Sequence, residues 1–142
     1  MSRPIQADGR VHGVVVAVRR EDGCWLLIRR SRHVRAPRMV CFPGGAVEHD
    51  EAQAIAVVRE MKEELGVTVT PLRQCWRWDS PTTNLTLFGW TALLESGELR
   101  PDPFEVEEIL WLSAEEGTNH PDAMETNRDF IACLMREAGE GG

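Results

Sequence analysis

The segment from Gly45 to Val67, GAVEHDEAQAIAVVREMKEELGV, constrains this chain more than any other. Five residues separate Gly45 from Glu51. Seven more separate Glu51 from Arg59-Glu60-Met61-Lys62-Glu63-Glu64-Leu65-Gly66-Val67. The spacing predicts a helix from about Glu51 to Leu65. Asp50 is the expected N-cap, with Gln53 three residues on completing a capping box. Glu51 then falls in the first turn, where negative charge suits the helix dipole. Gly66 stands where a left-handed C-terminal cap belongs. At about 100° per residue, Ala54, Val57, Val58, Met61 and Leu65 form one apolar stripe. Glu60, Glu63 and Glu64 share another side with Gln53 and the small Ala56.

Three carboxylates on one helix face repel one another at neutral pH. A hard divalent cation removes that repulsion, and oxygen ligands of this kind suit Mg²⁺ or Mn²⁺. A bare ExxEE is by itself an ordinary solvated helix face, since Glu is a good helix former and mostly exposed. Its context sets this one apart. Arg59 stands four residues before Glu63 and can pair with it. Phe42-Pro43-Gly44-Gly45 permits a tight turn whose backbone comes close to a ligand. With average residue usage, the nine constrained positions match by chance on the order of once in ten million chains, or less often.

The pattern, Gx5Ex7REUxEExGU with U a bulky aliphatic, resembles the Nudix box of the Nudix hydrolase family, its MutT-like branch included. Met61 is a departure, standing where the family usually has Ile, Leu or Val. The resemblance implies an α/β fold, the Nudix α/β/α sandwich with a mixed β-sheet between helices. It implies that Glu60, Glu63 and Glu64 bind the metal, joined by the backbone carbonyl of Gly45, and that Glu51 supports Arg59. It implies hydrolysis of a nucleoside diphosphate linked to another moiety. The family's general base belongs to the box in some members and to a later loop in others. Here Phe104-Glu105-Val106-Glu107-Glu108 lies where such a loop is expected, so Glu105 and Glu108 are candidates for base or extra ligand. A solvated acidic loop is the plain alternative.

A chain of 142 residues suits one domain with a proper core. No apolar run is long enough to span a membrane, and MSRPIQADGR lacks the apolar segment of a signal peptide. Cys24, Cys41, Cys75 and Cys133 are scattered without a CxxC pair, which points to reduced thiols, a cytoplasmic protein and no zinc site. A net charge of −7 gives no broad reason to bind duplex nucleic acid. Yet residues 29–38, RRSRHVRAPR, hold five of the fifteen arginines. Such a stretch can grip phosphates bidentately, with Arg29 and Arg35 as the choices for substrate contact. A solvated connection between strands is equally consistent with it.

Hydrophobic patterning predicts strands at 12–19, 25–28, 39–42, 67–70, 75–79, 85–94 and 109–112. The first two read as a hairpin across Glu21-Asp22-Gly23. Ser113 to Glu116 reads as a capping box opening a short helix. A terminal amphipathic helix over 122–137 turns Phe130, Ile131, Leu134 and Met135 inward. The glycine-rich tail over 139–142 reads as disordered.

The substrate is not fixed by these residues. The chain has no tyrosine, so the downstream tyrosine of diadenosine polyphosphate hydrolases is missing. Pro81 falls near the position where ADP-ribose hydrolases carry a proline. Cleavage of oxidised nucleoside triphosphates stays open. Trp76, Trp78, Trp90 and Phe88 could stack on a base or fill the core. The expected small-molecule partner is a nucleoside diphosphate derivative, and the sequence leaves room for a homodimer. The alternative is a catalytically inactive Nudix-fold nucleotide-binding or sensor module. Such modules typically lose box glutamates, and this chain keeps all of them.

Overall fold

The computed structural model describes residues 3–139. Its elements are β1 (Val11–Ala17), β2 (Trp25–Arg30), β3 (Val40–Cys41), β4 (Gly44–Ala46), α1 (Gln53–Leu65), β5 (Thr68–Asp79), β6 (Leu85–Ser96), β7 (Val106–Leu112), α2 (Ala114–Asn119) and α3 (Thr126–Glu137). The strands form two sheets. One is mixed, in the order β4-β1-β6-β5, with β1 and β6 parallel. The other is antiparallel, in the order β3-β2-β7.

Strand alternation splits the apolar residues between two cores. Val14, Val16, Val18, Leu26 and Ile28 point to one side, where Ala56, Val57, Met61 and Leu65 of α1 cover them. Ala17, Trp25, Leu27 and Val40 point to the other, against Phe130, Ile131 and Leu134 of α3. The result is the expected α/β/α sandwich. Asn127, buried, donates its side-chain amide to the Val40 carbonyl at 2.9 Å, which ties α3 to β3. Trp76 and Trp78 share the α3 side as their alternation predicts. Trp76 stacks on Phe130 and donates to Asp129 at 2.9 Å, so it is core.

Several local expectations are corrected. Residues 11–30 do not form a hairpin ladder. β1 and β2 belong to different sheets, joined by one Arg19–Trp25 bridge and the bonds around it. The reason is β4: the Gly44–Ala46 segment takes the edge of β1 opposite β6. The glycine approach is thus a paired strand as well as a turn. α1 begins at Gln53, not Glu51. Asp50 sits at φ 60° and does not cap it, and Ala52 takes the cap position without a side-chain bond. Glu51 is drawn away by Arg59, and Gln53 accepts a bond from the Trp90 indole at 2.8 Å. The buried face of α1 is also rotated, taking in Ala56 and Glu64. β7 begins at Val106, and α3 begins at Thr126 rather than 122. The Ser113–Glu116 capping box is present with both of its bonds. Of the tail expectation, Gly139 follows α3 in a turn, and 140–142 lie outside the described residues.

Candidate active site

Gly44 and Gly45 place the β4 backbone against the middle of α1. At Gly44, with φ of 157°, an added Cβ would meet the Val14 carbonyl oxygen at 1.9 Å. No side chain fits that ladder position. At Gly45 an added Cβ would meet the Glu60 carboxylate at 2.4 Å. The Glu60 carboxylate therefore rests on bare backbone, and a side chain at Gly45 would have to displace it.

Arg59 organises the acidic groups around it. Its guanidinium grips Glu51 bidentately, Nε to Oε2 at 2.8 Å and Nη2 to Oε1 at 2.9 Å. Nη2 also donates to the Ala46 carbonyl at 2.9 Å. Nη1 donates to Glu60 at 2.8 Å and to Glu63 at 3.3 Å. One planar cation so fixes the loop before α1, the end of β4 and two box carboxylates. These partners hold the Arg59 guanidinium above its ordinary pKa, Glu51 first among them. Glu51 is held low by the same bond.

Glu64 differs from its neighbours. It is 5 % exposed, and its Oε1 has no hydrogen-bond partner. Burial pushes its carboxyl up to about 8, with Glu105 and Glu60 adding to the rise. Glu60 is raised mainly by burial and lowered in part by Arg59. Glu105 is raised by burial, then by Asp102 and Glu63. Glu60, Glu64 and Glu105 are thus partly desolvated, Glu64 lies in the fields of Glu60 and Glu105, and the exposed Glu63 adds its charge to Glu60 and Glu105.

The loop that carries Glu105 is docked on the end of α1. Arg100 donates its amide to the Leu65 carbonyl at 2.8 Å, and Asp102 to that of Glu64 at 2.9 Å. Glu108 is not brought to this group. It stands opposite Arg29 in the β2–β7 ladder and pairs with it at 3.1 Å. Arg29 itself is held by Glu108, by Asp122 at 2.9 Å and by the Arg38 carbonyl. Its neighbour Arg30, not Arg29, is the arginine that acts on Glu64, Glu105 and Cys41. Arg35 offers its backbone carbonyl to Arg30 Nε at 2.5 Å, and its side chain is exposed. Arg3 lies close to both, its guanidinium pKa lowered by burial and then by Arg35 and Arg30.

The residues present fit a divalent cation. The donor set is carboxylate and backbone oxygen, which suits Mg²⁺ or Mn²⁺. A buried carboxylate oxygen without a partner is the group a cation would satisfy. Among the described residues, no group of three or more acidic, histidine or cysteine side chains is already converged as a metal site. Glu60 and Glu63 are engaged by Arg59 instead.

The raised carboxyl has a consequence for the metal-free protein. In the fold Glu64 keeps its proton up to about pH 8, while an unfolded glutamate releases it near 4.5. The stability this proton confers is complete below pH 4.5 and lost as pH rises through about 8. In chelator, the melting temperature of the wild type relative to Glu64→Gln is expected to fall between pH 5 and 8. Thermal melts of the two proteins across that range check it. A constant difference would remove the buried-carboxyl account.

The chain is similar to known proteins over almost its whole length. The family model described as the NUDIX domain matches residues 9–138. The chain is 32% identical over 121 residues to the 8-oxo-dGTP diphosphatase of Escherichia coli strain K12, covering 84% of this chain and 92% of that protein. It is 39% identical over 100 residues to the NAD-capped RNA hydrolase NudC of Salmonella heidelberg. That match covers 69% of this chain and only 37% of the relative's length. Among solved structures, the MutT protein of Methanosarcina mazei Go1 superposes with a TM-score of 0.79 at 25% identity, covering 99% of both chains. Among the described residues, no helix is long and apolar enough to cross a membrane. The match runs from before β1 to the end of α3 and takes in the whole carboxylate helix, and the chain belongs to the NUDIX domain family.

Proposed function

We propose that this protein is a Mg²⁺- or Mn²⁺-dependent pyrophosphohydrolase that cleaves the diphosphate linkage of a nucleoside diphosphate derivative. The observation that carries the reading is the Glu64 carboxylate, buried with its Oε1 unpartnered and lying in the fields of Glu105 and Glu60. A structural glutamate in that position costs stability, so its placement calls for a ligand. The names of two relatives, an 8-oxo-dGTP diphosphatase and a hydrolase of NAD-capped RNA, both describe enzymes acting on nucleotides with phosphoanhydride bonds.

Glu60, Glu63 and Glu64, with the Gly45 carbonyl, would hold the cation. When bound, it supplies Lewis-acid stabilisation of phosphate oxygens and activation of water. The chain's own part is positioning and electrostatics. Arg59 holds Glu60 and Glu63 in register with β4. Glu105, its pKa raised by burial and by Asp102 and Glu63, is suited to take a proton from water. Glu64 is the other carboxylate suited to that role. Arg30, whose charge acts on both carboxylates, supplies positive charge for phosphate oxygens, and Arg35 and Arg3 add to it.

The test is a panel of nucleoside triphosphates, dinucleoside diphosphates and nucleotide sugars with Mg²⁺, scored by kcat/KM. Metal-dependent release of nucleoside monophosphate is expected, and chelator should abolish it. A folded protein that releases none across the panel would falsify the enzymatic reading and leave a binding or sensor module.

Arg30→Ala should raise KM more than it lowers kcat, because a phosphate contact forms in ground and transition states alike. The penalty should shrink at high salt. Arg29→Ala should act on melting temperature instead, since Glu108 and Asp122 lose their partner. Steady-state kinetics at two salt concentrations separate the two. Unchanged KM for alanine at Arg30 and at Arg35 would reduce the loop to a solvated connection.

A further inference from the structure

One exposed aromatic feature has no evident task in the fold. Phe104 is 60% exposed and directly precedes Glu105. Its ring lies flat on His33, with centroids 5.1 Å apart and planes 4° apart. A single exposed phenylalanine needs no explanation. A pair held as firmly as this one does. Ser31 is 4% exposed. Its hydroxyl donates to the Phe104 carbonyl, and its amide donates to the Glu105 carbonyl at 3.0 Å. The same hydroxyl accepts the His33 amide at 3.1 Å. The Phe104 amide donates to the Asp102 carboxylate at 3.0 Å. One buried serine thus fixes the backbone of both rings. Asp102, bonded to the Glu64 carbonyl, fixes the loop to α1.

His33 covers one face of the Phe104 ring, and the exposure of Phe104 belongs to the rest. Beside the pair is a shallow cleft of about 250 Å³ lined by Ser31, Arg32, His33, Arg38, Pro103 and Glu107. Arg38 pairs with Glu107 at 3.1 Å across it. The stack therefore has a preset ring plane, room beside it, cationic groups at its rim and a carboxylate of the candidate site on the next residue.

We propose that the His33–Phe104 stack is a binding shelf for a planar heteroaromatic ring, the nucleobase of a nucleotide whose phosphates reach the carboxylate cluster. The placement rests on the hydrolase reading above, while binding of the ring does not. Consecutive Cα atoms are about 3.8 Å apart, so the shelf and the Glu105 carboxylate are within the reach of one nucleotide. Every base has a π-face, so an aromatic platform reads planarity rather than base identity. The shelf should therefore favour a base-bearing ligand over the same phosphate without a base, and discriminate little between purines.

The test is calorimetric titration of the full chain, in Mg²⁺, with AMP and with ribose 5-phosphate. Wild type should bind AMP roughly tenfold more tightly, a stacking contribution of ordinary size. Phe104→Ala should lose that preference and leave ribose 5-phosphate affinity unchanged. Phe104→Trp should keep it. Thermal melts should be alike for all three, since the ring is exposed. Equal wild-type affinity for both ligands overturns the shelf, as does a Phe104→Ala variant that binds AMP like wild type. So does equal weakening of both ligands. Hydrolysis without Phe104-dependent AMP preference sinks the shelf alone. Phe104-dependent preference without hydrolysis sinks the enzymatic reading alone.

Discussion

Glu64→Gln is expected to lower kcat by roughly a hundredfold or more, the scale of losing a positioned catalytic or ligand carboxylate. The substitution keeps shape and volume, so its effect is chemical. Glu64 is buried between the Glu60 and Glu105 carboxylates, with one oxygen unpartnered. Glutamine removes the charge that a cation would meet there, along with the cost of burying it. Activity and stability should therefore move in opposite directions. Without metal at pH 8 the variant should melt higher than wild type, while turnover with Mg²⁺ collapses. Steady-state kinetics and melts on the same preparations read both. Near wild-type turnover on the best substrate would end the catalytic reading of this helix.

Arg59→Ala should damage both properties together. Removing the guanidinium strands Glu51 and Glu60, each with a side chain only 12% exposed, and frees the Ala46 carbonyl. Breaking a buried pair from one side costs about 3 kcal/mol or more, which lowers the melting temperature by roughly 10 °C in a domain of this size. Activity should fall as well, because Glu60 and Glu63 lose the group that orients them. The double variant Arg59→Ala with Glu51→Gln should recover part of the stability, since one stranded charge is gone. It should recover no activity, since Glu60 and Glu63 stay unheld. Wild-type melting and full turnover in Arg59→Ala would show the pair to be incidental.

What the sequence made legible follows from which interactions are local. The helix, its Gly66 cap, the Ser113 capping box and the two tryptophans on one face all depend on residues a few positions apart. The start of α1 differs from the sequence expectation for a non-local reason. Asp50 and Gln53 have the right types for a cap, but Arg59 draws Glu51 away and Trp90 of β6 draws in Gln53. Residues 11–30 were read as a hairpin because turn chemistry cannot show that β4 would occupy the edge of β1. Arg29 and Arg30 are not told apart by sequence for a related reason. Adjacent strand residues point to opposite faces, and which face meets the carboxylates depends on sheet packing. Glu105 and Glu108 were indistinguishable in sequence, and the β2–β7 ladder separates them by pairing Glu108 with Arg29. Ser31 carried no signal, since its importance lies in bonds to residues more than seventy positions away.

The tight fit at Gly44 and Gly45 divides the molecule by how freely it can be rewritten. At Gly44 the neighbouring backbone leaves no volume for even a methyl group, and at Gly45 the Glu60 carboxylate of the helix occupies the space a side chain would need. That part of the design admits almost no edits. The segments over 31–39 and 97–104 carry the rings and several of the arginines, and they meet the rigid part through a few backbone bonds. An engineer can therefore treat them as an exchangeable cassette. Retargeting the protein to a new nucleotide is a problem of loop grafting that keeps Ser31, Asp102 and Glu105 as fixed attachment points.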